Sequence, residues 1–277
     1  MSPSLSSLVT RLHRGHATVE VLDEVVSEEP LELRVEGKSI AVIMRTPGHD
    51  EELAAGFLLT EGVLTRPEDV FEISVCPSRS EGAGGVVDVL LTKGDVDWAK
   101  LTRHVFASSS CGVCGKATID AIFQSFSPLP WSWTITGEML WSLPDKLRAA
   151  QSTFEKTGGL HASALFDAQG SLIVAREDVG RHSALDKVLG YAFRNGLLPL
   201  KDHVLLVSGR VSFEIMQKAL AGGIGLVAAV SAPSSLAVQF AQESGQTLVG
   251  FLRGDRMNVY AGAERIVMQQ HQEALVR

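Results

Sequence analysis

The chain has 277 residues, 45% of them hydrophobic and a formal net charge of −7. It is long enough for two domains or one elaborated α/β domain, and too acidic overall for the broad basic face that sequence-independent nucleic-acid binding needs. No run of about 18 apolar residues marks a membrane span, and the Ser-rich start lacks a basic-then-apolar leader, so a soluble, cytoplasmic protein is expected.

Residues 31–45, LELRVEGKSIAVIMR, alternate apolar and polar positions on both sides of Glu36-Gly37-Lys38. That pattern predicts a β-hairpin. Pro47-Gly48 then breaks the chain, and Asp50 is placed to cap a short helix with Leu53, Phe57 and Leu58 on one face, ending near Gly62. A strand is expected at 86–91. The first part therefore reads as an α+β domain, 1–133, which includes the cysteine loop and a helix after it. Past the WSWTITGE stretch at 131–138 the pattern becomes a regular α/β alternation, expected as a second domain, 134–277. It comprises a hairpin (HASALF, Asp167 to Gly170, SLIVA), a helix carrying Leu185, Val188, Leu189 and Ala192 that stops at Asn195-Gly196, and a strand at 203–207. A helix at 212–223, a strand at 226–231, a helix at 234–245 and a strand at 248–252 follow. Nearly unbroken apolar strands alternating with helices predict a partly parallel sheet covered by helices.

Three cysteines cannot all pair within one chain, and a chain of this size needs no disulfide staples. Their thiols are free for chemistry. Cys111 and Cys114 stand in SSSCGVCGK, ahead of Ile119, Ile122, Phe123 and Phe126 at helical spacing. A helix N-terminus near Cys114, with Lys116 beside it, favours thiolate over thiol. Gly112 and Gly115 let a bulky reactant approach the backbone. Other readings compete. A zinc half-site lacks a second ligand pair, and no structural metal is expected. A thioredoxin-like dithiol does not ordinarily follow three serines. A zinc deaminase pattern, begun by His49-Asp50-Glu51, lacks the proline before its first cysteine. Cys76, before Pro77, has no pattern around it.

At the carboxyl ends of the predicted strands, three loops carry polar or basic groups: Ser208-Gly209-Arg210, Ser231 to Ser235, and Arg253-Gly254-Asp255-Arg256. Each is expected to lead into a helix N-terminus, where phosphates bind. Taken singly, Arg253 and Arg256 read as a solvated turn and Ser212 and Ser234 as helix caps; three loops at one edge favour an anion pocket. Arg176, Glu177, Asp178, Arg181 and His182 fit either an internal ion-pair network or a site, and His161 and His182 fit either role.

Several segments recur together in one known family. They are RTPGHDEELAAGFLLTEG (45–62), SSSCGVCGK (108–116), TGGLHASALF (157–166), REDVGRHSALDKVLG (176–190), SGRVSFEIMQKA (208–219), SAPSSLAV (231–238) and FLRGDRMNVY (251–260). In this order they resemble the formate dehydrogenase accessory sulfurtransferase family, FdhD. The resemblance implies a cytoplasmic homodimer whose second domain has a cytidine deaminase-like three-layer α/β fold. It implies a sulfurtransferase: a cysteine desulfurase loads persulfide sulfur onto Cys111, with Cys114 beside it. The sulfur then passes to the molybdenum bis(molybdopterin guanine dinucleotide) cofactor before insertion into the formate dehydrogenase catalytic subunit. Phe251, Leu252, Arg253, Gly254, Asp255 and Arg256 take the position of the family's cofactor-binding segment; Met257 stands where an aromatic residue is often found. A cofactor-binding chaperone that transfers no sulfur is the alternative, and it requires no reactive Cys111.

Overall fold

The computed structural model describes residues 2–76, 84–92, 98, 127–130 and 133–268. The expected hairpin is β3 (Glu29–Val35) with β4 (Lys38–Arg45), turning through Glu36 and Gly37 at φ 51° and 73°. Two successive left-handed residues match the twist of the flanking strands. β5 (Val70–Cys76), which the sequence did not suggest, and β6 (Gly85–Leu91) complete a sheet of order β4-β3-β6-β5. Leu31, Leu33, Val35, Val87 and Val89 alternate onto its buried face. Ahead of it, β1 (Ser4–Arg11) and β2 (Val19–Val26) form a separate antiparallel ribbon.

Helix α1 (Asp50–Thr60) lies where expected, but His49, at φ 59°, is its N-cap and Asp50 is already helical. The Asp50 carboxylate is occupied by Arg45, whose Nε stands 2.9 Å from Oδ1. Every residue from Glu52 to Thr60 is buried, because the helix is packed on more than one side. It crosses α4 (Arg181–Arg194) so closely that a Cβ on Gly56 would stand 1.8 Å from the Asp186 carbonyl oxygen.

The second half contains the expected alternation. β8 (His161–Phe166) and β9 (Leu172–Asp178) are followed by α4, β10 (Val204–Val207), α5 (Phe213–Ala221), β11 (Leu226–Ala229), α6 (Ser235–Ser244) and β12 (Thr247–Arg253). The sheet order is β13-β12-β11-β10-β8-β9, with β10, β11 and β12 parallel and the outer strands antiparallel. The short strand β7 (Ile135–Thr136) and two further helices, α2 (Gly137–Ala150) and α3 (Ser152–Thr157), come before β8. Leu140, Leu143 and Leu147 of α2 cover one face of the sheet, against Ala162, Leu206 and Ala228. Helices α4, α5 and α6 cover the other, where Leu185, Ile215 and Phe240 meet Leu205 and Val227. The expected α/β class, with a sheet between helical layers, is thus observed. That second cluster also contains Leu31, Leu53 and Val87, so apolar packing runs continuously across residue 133.

One loop differs from expectation. Arg253 to Arg256 leads into no helix: it is the tip of an antiparallel hairpin between β12 and β13 (Arg256–Ala261), with Gly254 at φ 58°. No helix among the described residues is long and apolar enough to cross a membrane.

Candidate functional site

Because β10 and β11 are parallel neighbours, their carboxyl ends bring Ser208-Gly209-Arg210 and Ser231 to Ser234 to the same sheet edge. Two clefts open there, one on each face. The first, of about 260 Å³, is lined by Arg181, Arg210, Val211, Ser212, Ala232, Pro233 and Ser234. Ser212 and Ser234 are the N-caps of α5 and α6, so two helix N-termini face this cleft. Ser234 uses its hydroxyl to accept from Ala237 N at 3.2 Å, whereas Ser212 makes no capping bond. Neither Arg181 nor Arg210 joins an ion pair among the described residues, and Arg181 Nε is buried without a hydrogen-bond partner. Two unpaired guanidinium groups beside two helix N-termini make a site for an anion, and phosphate oxygens suit it best.

The second cleft, of about 650 Å³, lies on the α2 face and includes His161 and Ser208. Ser208 is fixed to β8: its N–H donates to Ala162 O, and its Oγ accepts from Ala162 N, both at 2.9 Å. Gly209 separates the clefts, and a Cβ on it would stand 3.1 Å from His161 Nδ1 and 3.9 Å from Arg181 Cβ. Burial pushes the His161 imidazole below its ordinary value, and Arg181, His182 and Arg210 push the same way. At neutral pH it is therefore an uncharged donor and acceptor beside the arginines.

His182 Nε2 approaches Ser212 Oγ at 3.3 Å and Glu214 Oε2 at 2.9 Å. Both partners address the same nitrogen, so the group is not a serine–histidine–carboxylate relay, which needs one partner on each nitrogen. The first three residues of REDVGRH are structural. Arg176 binds Glu52, Glu177 accepts from Thr153 N and Phe154 N at the start of α3, and Asp178 pairs with Lys187.

The hairpin tip stands beside this edge rather than inside either cleft. Arg253, Gly254, Asp255 and Arg256 are exposed, while Leu252 is fully buried in the core under α2. Phe251 adopts φ 52°, rare for a bulky residue, donates its N–H to Ser231 O at 3.0 Å, and lies 5.6 Å beneath the Arg253 guanidinium. Cys111 and Cys114 lie outside the described residues; Cys76 is exposed at the end of β5. No cluster of three or more potential metal ligands occurs among the described residues.

Residues 26–267 match the model of the FdhD/NarQ family. The chain belongs to that family. Among its FdhD/NarQ relatives, the sulfur carrier protein FdhD of Streptomyces coelicolor is 52% identical over 255 residues, covering 89% of this chain and 90% of that protein. The sulfur carrier protein FdhD of Mycobacterium tuberculosis is 53% identical over 251 residues, covering 86% and 90%. A crystal structure of a candidate formate dehydrogenase accessory protein from Desulfotalea psychrophila superposes with a TM-score of 0.77 at 26% identity, covering 96% of this chain and all of that one. The FdhD/NarQ match spans both clefts, the hairpin tip and the cysteine loop. Ribbon strand β1 falls before it.

The sequence pattern singled out Ser208 to Arg210, left Arg181 open between an ion-pair network and a site, and did not point to the α2 side of the second cleft. The missed signal is a polar stripe, Asp145, Arg148 and Gln151, spaced every three residues.

Proposed function

We propose that this chain carries sulfur on Cys111 during maturation of a formate dehydrogenase. The donor is a cysteine desulfurase, and the acceptor is the molybdenum bis(molybdopterin guanine dinucleotide) cofactor bound as cargo. The Cys111 thiolate attacks the terminal sulfur of the desulfurase persulfide. The donor S–S bond breaks, a new S–S bond forms on Cys111, and the desulfurase leaves as a thiolate, so the exchange involves no net oxidation. Arg181, Arg210 and the N-termini of α5 and α6 hold the cargo's phosphates, with Phe251 to Arg256 flanking them. Supporting this reading is one combination: an unpaired arginine cleft at the sheet edge, in a chain about half identical to proteins named sulfur carriers.

The test is intact mass spectrometry after incubation with a desulfurase and cysteine. The parent chain should gain the mass of one sulfur atom and Cys111→Ala none, and cells holding only Cys111→Ala should lack formate dehydrogenase activity. Active dehydrogenase in those cells would overturn the carrier mechanism and leave a chaperone.

A further inference from the structure

The ribbon of β1 and β2 is a sheet of its own. Its root is anchored: Ser27 N donates to Pro3 O at 3.0 Å, and a Cβ on Gly159 would stand 3.0 Å from Val26 Cγ2. Farther out, Leu8 and Leu22 lie directly opposite each other and are 64% and 73% exposed, with Leu5, Leu12, Val19 and Val25 exposed as well. Two strands alone are marginally stable in water, and a third or fourth is needed to support an apolar row. The register shows which backbone groups are free to take one. Ser27 N bonds to Pro3 O, and in an antiparallel ladder such hydrogen-bonded pairs alternate along the strands. Leu5, Ser7, Val9 and Arg11 therefore bond to β2, while Ser4, Ser6, Leu8 and Thr10 turn their N–H and C=O groups to the outer edge of β1. No other strand among the described residues pairs with that edge.

Native sheets guard an open edge with charge, proline or a bulge. β1 has none of these: Ser4 to Thr10 carries no charge and no proline, and its pairing with β2 is unbroken. The outer edge of β2 is guarded, because Glu20 and Glu24 flank Leu22 on it. We infer that β1 is the edge on which a second copy of this chain docks, as an antiparallel strand across a two-fold axis through Leu8. In that register Leu8 lies opposite its own copy, and the row Leu22, Leu8, Leu8, Leu22 crosses one face of a four-stranded sheet. Ser6 meets Thr10 on either side, a pair that hydrogen-bonds across strands. Outward-turned residues oppose outward-turned residues, as the ladder requires. The same operation on the β2 edge would set Glu20 against Glu24 twice, so charge selects β1. The contact is isologous and closes at two copies, with the acidic edges outermost, where they block further strands.

Sedimentation equilibrium of the full chain tests the assignment. The parent chain should sediment as a dimer. Leu8→Glu and Leu8→Lys should each weaken dimerisation by about tenfold or more, because each sets like charges face to face on the axis. An equimolar mixture of the two variants should regain the dimer, since glutamate then meets lysine. That recovery cannot come from misfolded chains, and it cannot come from an interface in which residue 8 does not meet itself. A monomeric parent overturns the inference. So does a dimer that survives both substitutions unchanged, which would pair through another surface, and so does a mixture that stays as dissociated as its components.

Discussion

Glu52, on a helix of the first half, receives both Arg176 Nε at 2.6 Å and a second guanidinium N–H at 2.7 Å from a strand of the second. Burial alone would push its carboxyl up. The bidentate arginine, with His49 beside it, outweighs burial and holds the group down from 4.5 to about 2. A depressed carboxylate stabilises the fold fully above its unfolded value, and that contribution is lost as pH falls through the folded one. The window is therefore pH 4.5 down to about 2, and the displacement corresponds to about 3 kcal/mol. Glu52→Gln, which cannot titrate, should flatten the pH dependence of stability by about that amount across the window. Denaturant titrations of both chains at several pH values would show it; parallel profiles would mean that the pair contributes no pH-dependent stability.

At the scale of elements, the crossing of α1 and α4 depends on two missing side chains. A Cβ on Gly56 would stand 1.8 Å from Asp186 O, and one on Gly190 1.7 Å from Glu52 O. In both cases the obstacle is backbone, so the helices themselves must separate. Gly190→Ala should cost about 3 kcal/mol or more, beyond the usual range for an overpacked side chain, and lower the melting temperature by several degrees. A melting temperature within a degree of the parent's would show that the crossing can relax. None of this was readable in advance, because a glycine inside a helical pattern does not reveal what it faces. What was readable followed from burial. β3 and β4 alternate against one core and were legible, as were the apolar strands β10, β11 and β12 between their helices. The ribbon of β1 and β2 leaves Leu5, Leu8 and Leu22 exposed, so it carries no inward-facing period. Leu140, Leu143 and Leu147 do mark α2, but Pro144 inside it masks the helix. The turn Gly254-Asp255 concealed β13, and with it the hairpin that replaces a third helix-capped loop. Of the candidate cleft, Ser208 to Arg210 were visible as a local pattern. That Arg181 and Arg210 line one cleft depends on sheet order, which spacing does not specify.

Across the whole molecule, one buried pair ties the two halves of the chain together. Lys187 and Asp178 stand 2.7 Å apart at 1% and 0% side-chain exposure, and both bind Thr46, just before α1. Thr46 N donates to Asp178 Oδ2 at 3.2 Å, Lys187 Nζ donates to Thr46 O at 2.8 Å, and Thr46 Oγ1 accepts from Val179 N at 3.1 Å. The backbone of the first half is thus satisfied by charges of the second, next to an apolar core that neither half completes alone. Lys187→Met should leave the Asp178 carboxylate buried without its countercharge, at a cost of about 3–5 kcal/mol. Adding Asp178→Leu should restore part of that loss, because two apolar groups need no pairing, though Thr46 N then loses its acceptor. The denaturant slope distinguishes two consequences. If the halves unfold as one unit, Lys187→Met lowers the midpoint and leaves the slope unchanged, since the same surface is exposed in one step. A shallower or biphasic transition would show instead that Thr46 and its partners were what coupled two separately stable parts.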